Sequence, residues 1–269
     1  MTVINTNVNA LQASNASNSA AAMTSQAMTR LSTGKRINSA SDDAAGLAIA
    51  TSMTSQINAL NQGVKNANDG ISLSQTAQGS LDEVTNMLQR VRTLAVQSQN
   101  STYSSDDRSN MNSEVSALKD QISNIVSNTK FNGSAVFSGA STDTSFSIQA
   151  GNDAITLTSK GLGWDSGKSS LDVSSASSAS STVTAVDDLL KKVEATNATL
   201  GAGQNQLQSA VNNMTNTSTN LSAARSRIQD ADYSAESTAM AKAQILSQAS
   251  TAMIAQANQS QQNVLSLLK

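Results

Sequence analysis

The 269-residue chain has no cysteine, no histidine and no proline, and its aromatic residues are 3 Phe, 2 Tyr and 1 Trp. Each absence excludes something. Without His or Cys there is no side chain whose ordinary titration falls near neutrality, no thiolate nucleophile, and none of the usual ligands of zinc, copper or haem. Most familiar catalytic arrangements are thereby lost, so the chain is expected to be no enzyme and to carry no cofactor or metal. Without Cys no disulfide forms, and the redox compartment cannot be read from bridges. So few aromatics cannot fill a thick globular core, whereas thin helical packing does not need them.

Net charge and long apolar runs are scarce as well. With 17 Lys+Arg against 19 Asp+Glu, the formal charge is -2, which leaves no basic footprint for nucleic acid or anionic membrane. No stretch approaches the ~18 apolar residues that a bilayer span requires. The segment Met1–Leu11 has neither the basic start nor the apolar run of a Sec-type signal peptide. The expectation is a protein without membrane insertion, either cytoplasmic or exported by another route.

What is present is heptad spacing. Ala50, Met53, Ile57, Leu60, Val64, Ala67 and Ile71 alternate steps of 3 and 4, the seam of a left-handed coiled coil. Ser74, Ala77, Leu81, Val84, Leu88, Val91 and Ala95 continue it, with consecutive steps of 3 after Ile71 that overwind the coil locally. One helix of roughly fifty residues, ~75 Å long, is predicted. Ser and Asp residues before Asp107 offer caps to a second helix, with a stripe at Met111, Val115, Leu118, Ile122 and Ile125, which Phe131-Asn-Gly133 ends.

Phe146/Ile148 and Ile155/Leu157 alternate with polar residues around Gly151-Asn-Asp153, the only β signal read here and a predicted hairpin. The Ser/Thr/Gly-rich run Ser166–Thr184 reads as an exposed loop. Helical spacing returns at Val183, Val186, Leu190, Val193, Leu200, Leu207, Val211, Met214, Leu221 and Ile228, with Asn197, Gln204, Ser218 and Arg225 filling the remaining grid places. Polar seam residues cost stability but can fix register.

The ends differ. Ile4, Val8, Leu11, Ala16, Ala20, Met23, Ala27 and Leu31 at the start, and Ala239, Ala243, Leu246, Met253, Ala257, Val264 and Leu267 at the finish, form stripes in which small residues dominate. At ~25 cal/mol per Å² such seams recover too little to offset ~1–2 kcal/mol of backbone ordering per residue, so the termini are expected to order on assembly.

Several segments then strongly resemble bacterial flagellin. They are Arg30-Leu-Ser-Thr-Gly-Lys-Arg-Ile-Asn-Ser-Ala-Ser-Asp-Asp-Ala-Ala-Gly-Leu47, Leu88-Gln-Arg-Val-Arg-Thr-Leu-Ala-Val-Gln97, Phe131-Asn-Gly133, Leu200-Gly-Ala202 and Asn220-Leu-Ser-Ala-Ala-Arg-Ser-Arg-Ile-Gln-Asp-Ala-Asp-Tyr233, with Ala243-Gln-Ile-Leu246 and Gln262-Asn-Val-Leu-Ser-Leu-Leu268 in the family's order. The chain departs from the family pattern at Thr93, Gln206 and Ser260-Gln261. The resemblance implies a mainly α fold, an elongated antiparallel coiled coil with helical-bundle layers and one small β-hairpin region. Residues 1–34 and 236–269 would form the inner terminal coiled coil. Residues 35–180 and 181–235 would form the outer layer, within which 135–180 is a short surface hairpin and loop.

The implied function is a structural subunit polymerising with itself into the extracellular flagellar filament, the propeller of swimming motility. Implied partners are the flagellar type III export apparatus, an export chaperone, the filament cap, hook-junction proteins and host flagellin receptors. A hook–filament junction protein and a secreted host-binding protein are the alternatives. Arg90, Leu94 and Glu114 match positions of filament packing and innate-receptor contact in the family. The groups Arg30, Lys35, Arg36, Asp42, Asp43 and Arg225, Arg227, Asp230, Asp232 are candidate ion pairs between layers. Asp106-Asp107 and Asp187-Asp188 read as helix-start charges rather than catalytic carboxylates. Gly167-Lys168-Ser169 fails the phosphate-loop pattern, which requires Gly where Leu162 stands. By the same resemblance the serine-rich tract is a candidate for O-glycosylation.

Overall fold

A computed structural model describes residues 6–266, with side chains as far as Asn263. Ile4, Leu267 and the side chain of Val264, members of the expected terminal stripes, lie outside the described residues. Helix α1 (Val8–Thr33) starts on Asn7, whose side chain accepts from the Ala10 N–H, and stops at Gly34 in the left-handed region. Asp43 accepts from the Gly46 N–H at 2.8 Å where α2 (Ala44–Ser98) begins. Helix α3 (Ser105–Asn128) opens with a capping box between Ser104 and Asp107. This reciprocal bond satisfies two otherwise orphaned backbone donors. The expected end-capping role of the acids there is met.

Two short strands follow, β1 (Lys130–Phe131) and β2 (Ser134–Ala135), then β3 (Thr144–Ala150) and β4 (Asp153–Ser159). A single turn α4 (Trp164–Gly167) and a 3₁₀ turn lead to α5 (Ala176–Gln229) and α6 (Tyr233–Ser266). Phe146 pairs with Leu157 and Ile148 with Ile155 across β3 and β4, as the alternation predicts. It is not the only hairpin. Asn132 and Gly133 both have positive φ, 49° and 84°, and β1 pairs antiparallel with β2 around them. Asn-Gly is the dipeptide that tight hairpin turns favour, so the sequence held this second signal.

Contacts divide the chain into two units, Met1–Gln56 with Asn220–Lys269, and Ile57–Thr219. The middle unit carries most of the large buried side chains, Ile37 of the other unit being an exception. Leu81, Leu88, Val91, Val115, Ile122, Val136, Leu157, Leu171, Val173, Trp164, Val186, Val193 and Leu200 form its principal core. A smaller cluster joins Ala67, Ala150, Leu207 and Met214. Every position of the α2 seam from Ala50 to Ala95 is buried or half-buried, as is the α5 grid from Val183 to Ile228. Seam Ser74 is fully buried and donates to the Leu200 carbonyl at 3.1 Å. The hairpin β3–β4 lies close on α2 and α5 because Gly63 and Gly203 have no side chain. A Cβ on Gly63 would overlap the Gly151 backbone, and one on Gly203 would overlap Leu157.

The expected exposed loop over Ser166–Thr184 is not found. Leu171, Val173, Ala179 and Thr182 are buried, and helix α5 already runs from Ala176. Few apolar residues suffice because they fall on one face. Ser175 accepts from the Ser178 N–H at 3.1 Å, and the Thr182 hydroxyl lies 2.7 Å from the Asp172 carbonyl. Hydroxyls that find such partners can be buried at modest cost.

Candidate assembly and contact surface

In the unit that holds the termini, α1 and α6 pack against each other antiparallel. Asn7 Nδ2 donates to the Ala257 carbonyl at 3.1 Å, and Arg30 Nη1 lies 3.6 Å from Glu236 Oε1 at the other end. The main α1 positions with reduced exposure are Ala10, Ala13, Ser17, Ala20, Thr24, Ala27 and Leu31, flanked by Ser14 and Arg30, and those of α6 are Glu236, Met240, Ala243, Ser247, Ser250, Ile254, Ala257 and Gln261, flanked by Ser237. Both sets follow the 3/4 heptad.

These seams are not the expected stripes. Ala20, Ala27, Ala243 and Ala257 are buried as predicted, but Val8, Leu11, Ala16 and Met23 on α1, and Ala239, Leu246 and Met253 on α6, are exposed. The physical reason is close approach. A seam of mostly Ala, Ser and Thr brings two backbones together; it takes Leu31, Met240 and Ile254 half-buried and leaves the other large apolar side chains on the flanks. Met28 and Ile245 are exposed too. Leu246 and Met253 line a groove with Ala13 and Ala16, and Met28 lines another with Gln244 and Gln248.

The candidate ion pairs resolve mostly into caps and backbone contacts. Arg36 N–H donates to the Gln229 carbonyl at 2.7 Å, its guanidinium to the Ile228 carbonyl at 2.7 Å, and Ala231 N–H to the Gly34 carbonyl at 3.0 Å. Lys35 bridges Asp230 through the backbone. Asp42 accepts from the Asn38 and Ser39 N–H groups, both at 3.0 Å, which hold its carboxyl below the usual range, with Arg30 adding least. Asp43 and Asp232 accept from N–H groups at the starts of α2 and α6. Asp230 accepts from Ser226 at 2.6 Å, and Arg225 donates to Thr54 at 3.2 Å. Among the described residues the Arg227 side chain, near the end of α5, makes no hydrogen bond or ion pair. Of the nine, Arg30 alone makes an ion pair, with Glu236 rather than Asp42 or Asp43. The reason is that short acidic side chains next to helix starts meet free N–H donors first.

In the middle unit Arg90 and Glu114 meet across α2 and α3 at 2.7 Å, both about half exposed. The Glu114 hydrogen bond raises the Arg90 pKa. Leu94 is 2% exposed and belongs to the core, not to the surface the other two present. Asp187 and Asp188, expected at a helix start, lie well inside α5 because that helix already begins at Ala176, and Asp187 makes a second bridge instead: Arg92 Nε donates to it at 2.8 Å between α2 and α5. That bond lowers the Asp187 pKa and raises that of Arg92. Nothing in sequence links positions 95 apart; the only clue is that both flank buried seam residues.

No described helix is long and apolar enough to cross a membrane. The profile of the bacterial flagellin N-terminal helical region matches residues 4–142, and that of the C-terminal helical region matches 183–268. A flagellin of Halalkalibacterium halodurans is 42% identical, with 91% of each chain covered. The flagellar filament 33 kDa core protein of Treponema phagedenis is 40% identical over 99% of this chain and all of its own. Flagellin B of Vibrio cholerae is 33% identical over 98% and 99%. A structure described as a flagellar hook-associated protein of Vibrio parahaemolyticus shares the fold at a TM-score of 0.60 and 16% identity, covering 70% of this chain and 100% of that one. Two helical regions matched in order, and relatives alike along nearly the whole length, place this chain in the bacterial flagellin family.

Proposed function

We propose that the chain is a structural subunit of the bacterial flagellar filament that polymerises with its own copies through the faces α1 and α6 leave uncovered. One observation carries the reading. Val8, Leu11, Met23, Met28, Ile245, Leu246 and Met253 are exposed on two helices whose mutual seam is mostly Ala, Ser and Thr. Large apolar side chains outside a thin seam have more to gain from neighbours than from each other. The flagellin relatives support this reading over a hook–filament junction protein or a host-binding secreted protein.

The finer parts of the proposal follow from family membership. Residues 1–34 with 236–269 line the inner layer, and 35–180 with 181–235 form the outer one, the segment 135–180 included. The subunit performs no chemistry. It leaves the cell through the flagellar type III apparatus with an export chaperone, is added beneath the cap, joins hook-junction proteins at the filament base, and resides outside the cell. For host flagellin receptors the reading offers the half-exposed Arg90–Glu114 pair; purified monomer that gives no signal in receptor-expressing cells overturns that part.

The central test is growth on filament seeds, followed by sedimentation and electron microscopy. The wild-type chain elongates seeds, and Leu11→Asp, at an exposed position, stops elongation without changing monomer helicity. Equal growth by Leu11→Asp overturns the assignment of this face. Amide exchange on the soluble chain checks the weakness of the ends. Protection in α1 and α6 as strong as in the core stretches of α2 refutes it.

A further inference from the structure

The chain holds no cysteine, so its softest nucleophiles are the thioether sulfurs of nine methionines. Their exposure is uneven. Among the described residues Met23, Met28 and Met253 are 55%, 58% and 60% exposed, whereas Met111 and Met214 are buried and Met53, Met87 and Met240 half-buried. All three exposed ones lie on α1 and α6, on the flanks of the Ala seam. Met28 borders the groove shared with Gln244 and Gln248, and Met253 the one shared with Leu246 and Ala249. The single Trp, another oxidisable side chain, is 3% exposed.

We propose that Met23, Met28 and Met253 form an oxidation site that gates assembly: the free subunit is open to sulfoxidation there, and sulfoxidation prevents its addition to a filament. This rests on the reading that α1 and α6 carry the polymer contacts. The oxidant is a two-electron peroxide such as hydrogen peroxide. A lone pair on the Met Sδ attacks one peroxide oxygen, the O–O bond breaks, and an S–O bond forms. The other oxygen leaves as water after proton transfer. Sulfur is oxidised by two electrons and the peroxide is reduced by two. The product side chain is polar where an apolar one stood, so a face that gained by leaving water now loses its hydration on burial. Once copies cover the face, the same sulfurs are out of the oxidant's reach. A subunit damaged before addition is thus excluded, while one already in place is spared. Methionine sulfoxide reductases reverse the modification.

The test uses the full-length chain, hydrogen peroxide, peptide mass spectrometry and seeded growth. In the free chain Met23, Met28 and Met253 gain oxygen before Met53, Met87, Met111, Met214 and Met240, and seeded growth falls at least tenfold. Reductase treatment restores it. The variant carrying Met23→Leu, Met28→Leu and Met253→Leu keeps apolar volume without sulfur; each preparation is compared with its own untreated growth, and the variant grows equally before and after peroxide. In peroxide-treated filaments the three stay unmodified. Oxidation spread evenly over all methionines, or equal loss of growth by the triple variant, overturns the proposal. Untreated wild-type chain that fails to elongate seeds instead removes the filament reading beneath it. Growth of untreated chain together with undiminished growth of oxidised chain removes the gate alone.

Discussion

The two units use the same heptad grammar with different vocabularies. In the middle unit the seam positions of α2 and α5 carry Leu, Val and Ile, with Leu81, Leu88 and Leu200 at 0–1% exposure. In the terminal unit the corresponding places on α1 and α6 are mostly Ala, Ser and Thr, and the larger Leu31, Met240 and Ile254 are only half-buried. A fully buried Leu contributes ~1.5–3 kcal/mol, and a methyl group far less. The middle unit therefore gains more from its own burial than the terminal unit does. Spacing sets where a helix packs; side-chain size decides whether that packing suffices.

Four sets of measurements would break or sharpen that contrast. The largest effect is expected from Leu88→Ala, which should cost about 2–5 kcal/mol in urea denaturation. Ala27→Gly, at a buried α1 position, should cost about 1 kcal/mol, mostly as lost helix propensity. Equal costs would erase the difference between the units. Next comes Gly63→Ala, where the added methyl meets the Gly151 backbone; a loss of about 1–3 kcal/mol is expected. Gly79→Ala, with nothing within 4 Å, should instead raise the melting temperature, by up to about 1 kcal/mol of added stability. Ser104→Ala removes the α3 cap and should cost about 0.5–2 kcal/mol, read by the same denaturation curves.

The smallest effect is acid dependence. The carboxyls of Asp42, Asp107 and Asp187 are all held below the ordinary value, by the Asn38 and Ser39 amides, by Ser104, and by Arg92. A depressed carboxylate contributes stability that is fully present above the unfolded Asp value of ~3.9 and is lost as pH falls through the lower folded value. Melting followed from pH 6 down to pH 2 should show this loss only at the acid end. In Asp187→Asn the share owed to Arg92 should vanish, and an unchanged acid slope would show that the bridge contributes nothing in solution.

The sequence announced large-residue seams and hid small-residue ones. On α2 and α5 apolar and polar positions contrast, so the 3/4 grid could be read directly. On α1 and α6 Ala occurs on every face. The eye followed Val8, Leu11, Met23, Leu246 and Met253, and these are the residues left outside the pair. Ser166–Thr184 misled for the opposite reason, since Leu171, Val173 and Ala179 are too sparse to read as a stripe yet enough to anchor one side of a helix start. At the candidate contacts, matching motifs led to Arg90 and Glu114, which do meet. The partners of Arg30 and Arg92 depend on how distant helices are set side by side, and no local pattern carries that.

Trp164 is the only tryptophan, sits 3% exposed in the middle unit, and donates to Ser123 at 2.8 Å. Emission excited in the red edge of the absorption band therefore reports on that core and on nothing in α1 or α6, a built-in optical probe for one unit only. Backbone ellipticity sees both. Any interval of temperature over which ellipticity falls while the indole stays dark to water is then the melting of the terminal pair, seen without a label.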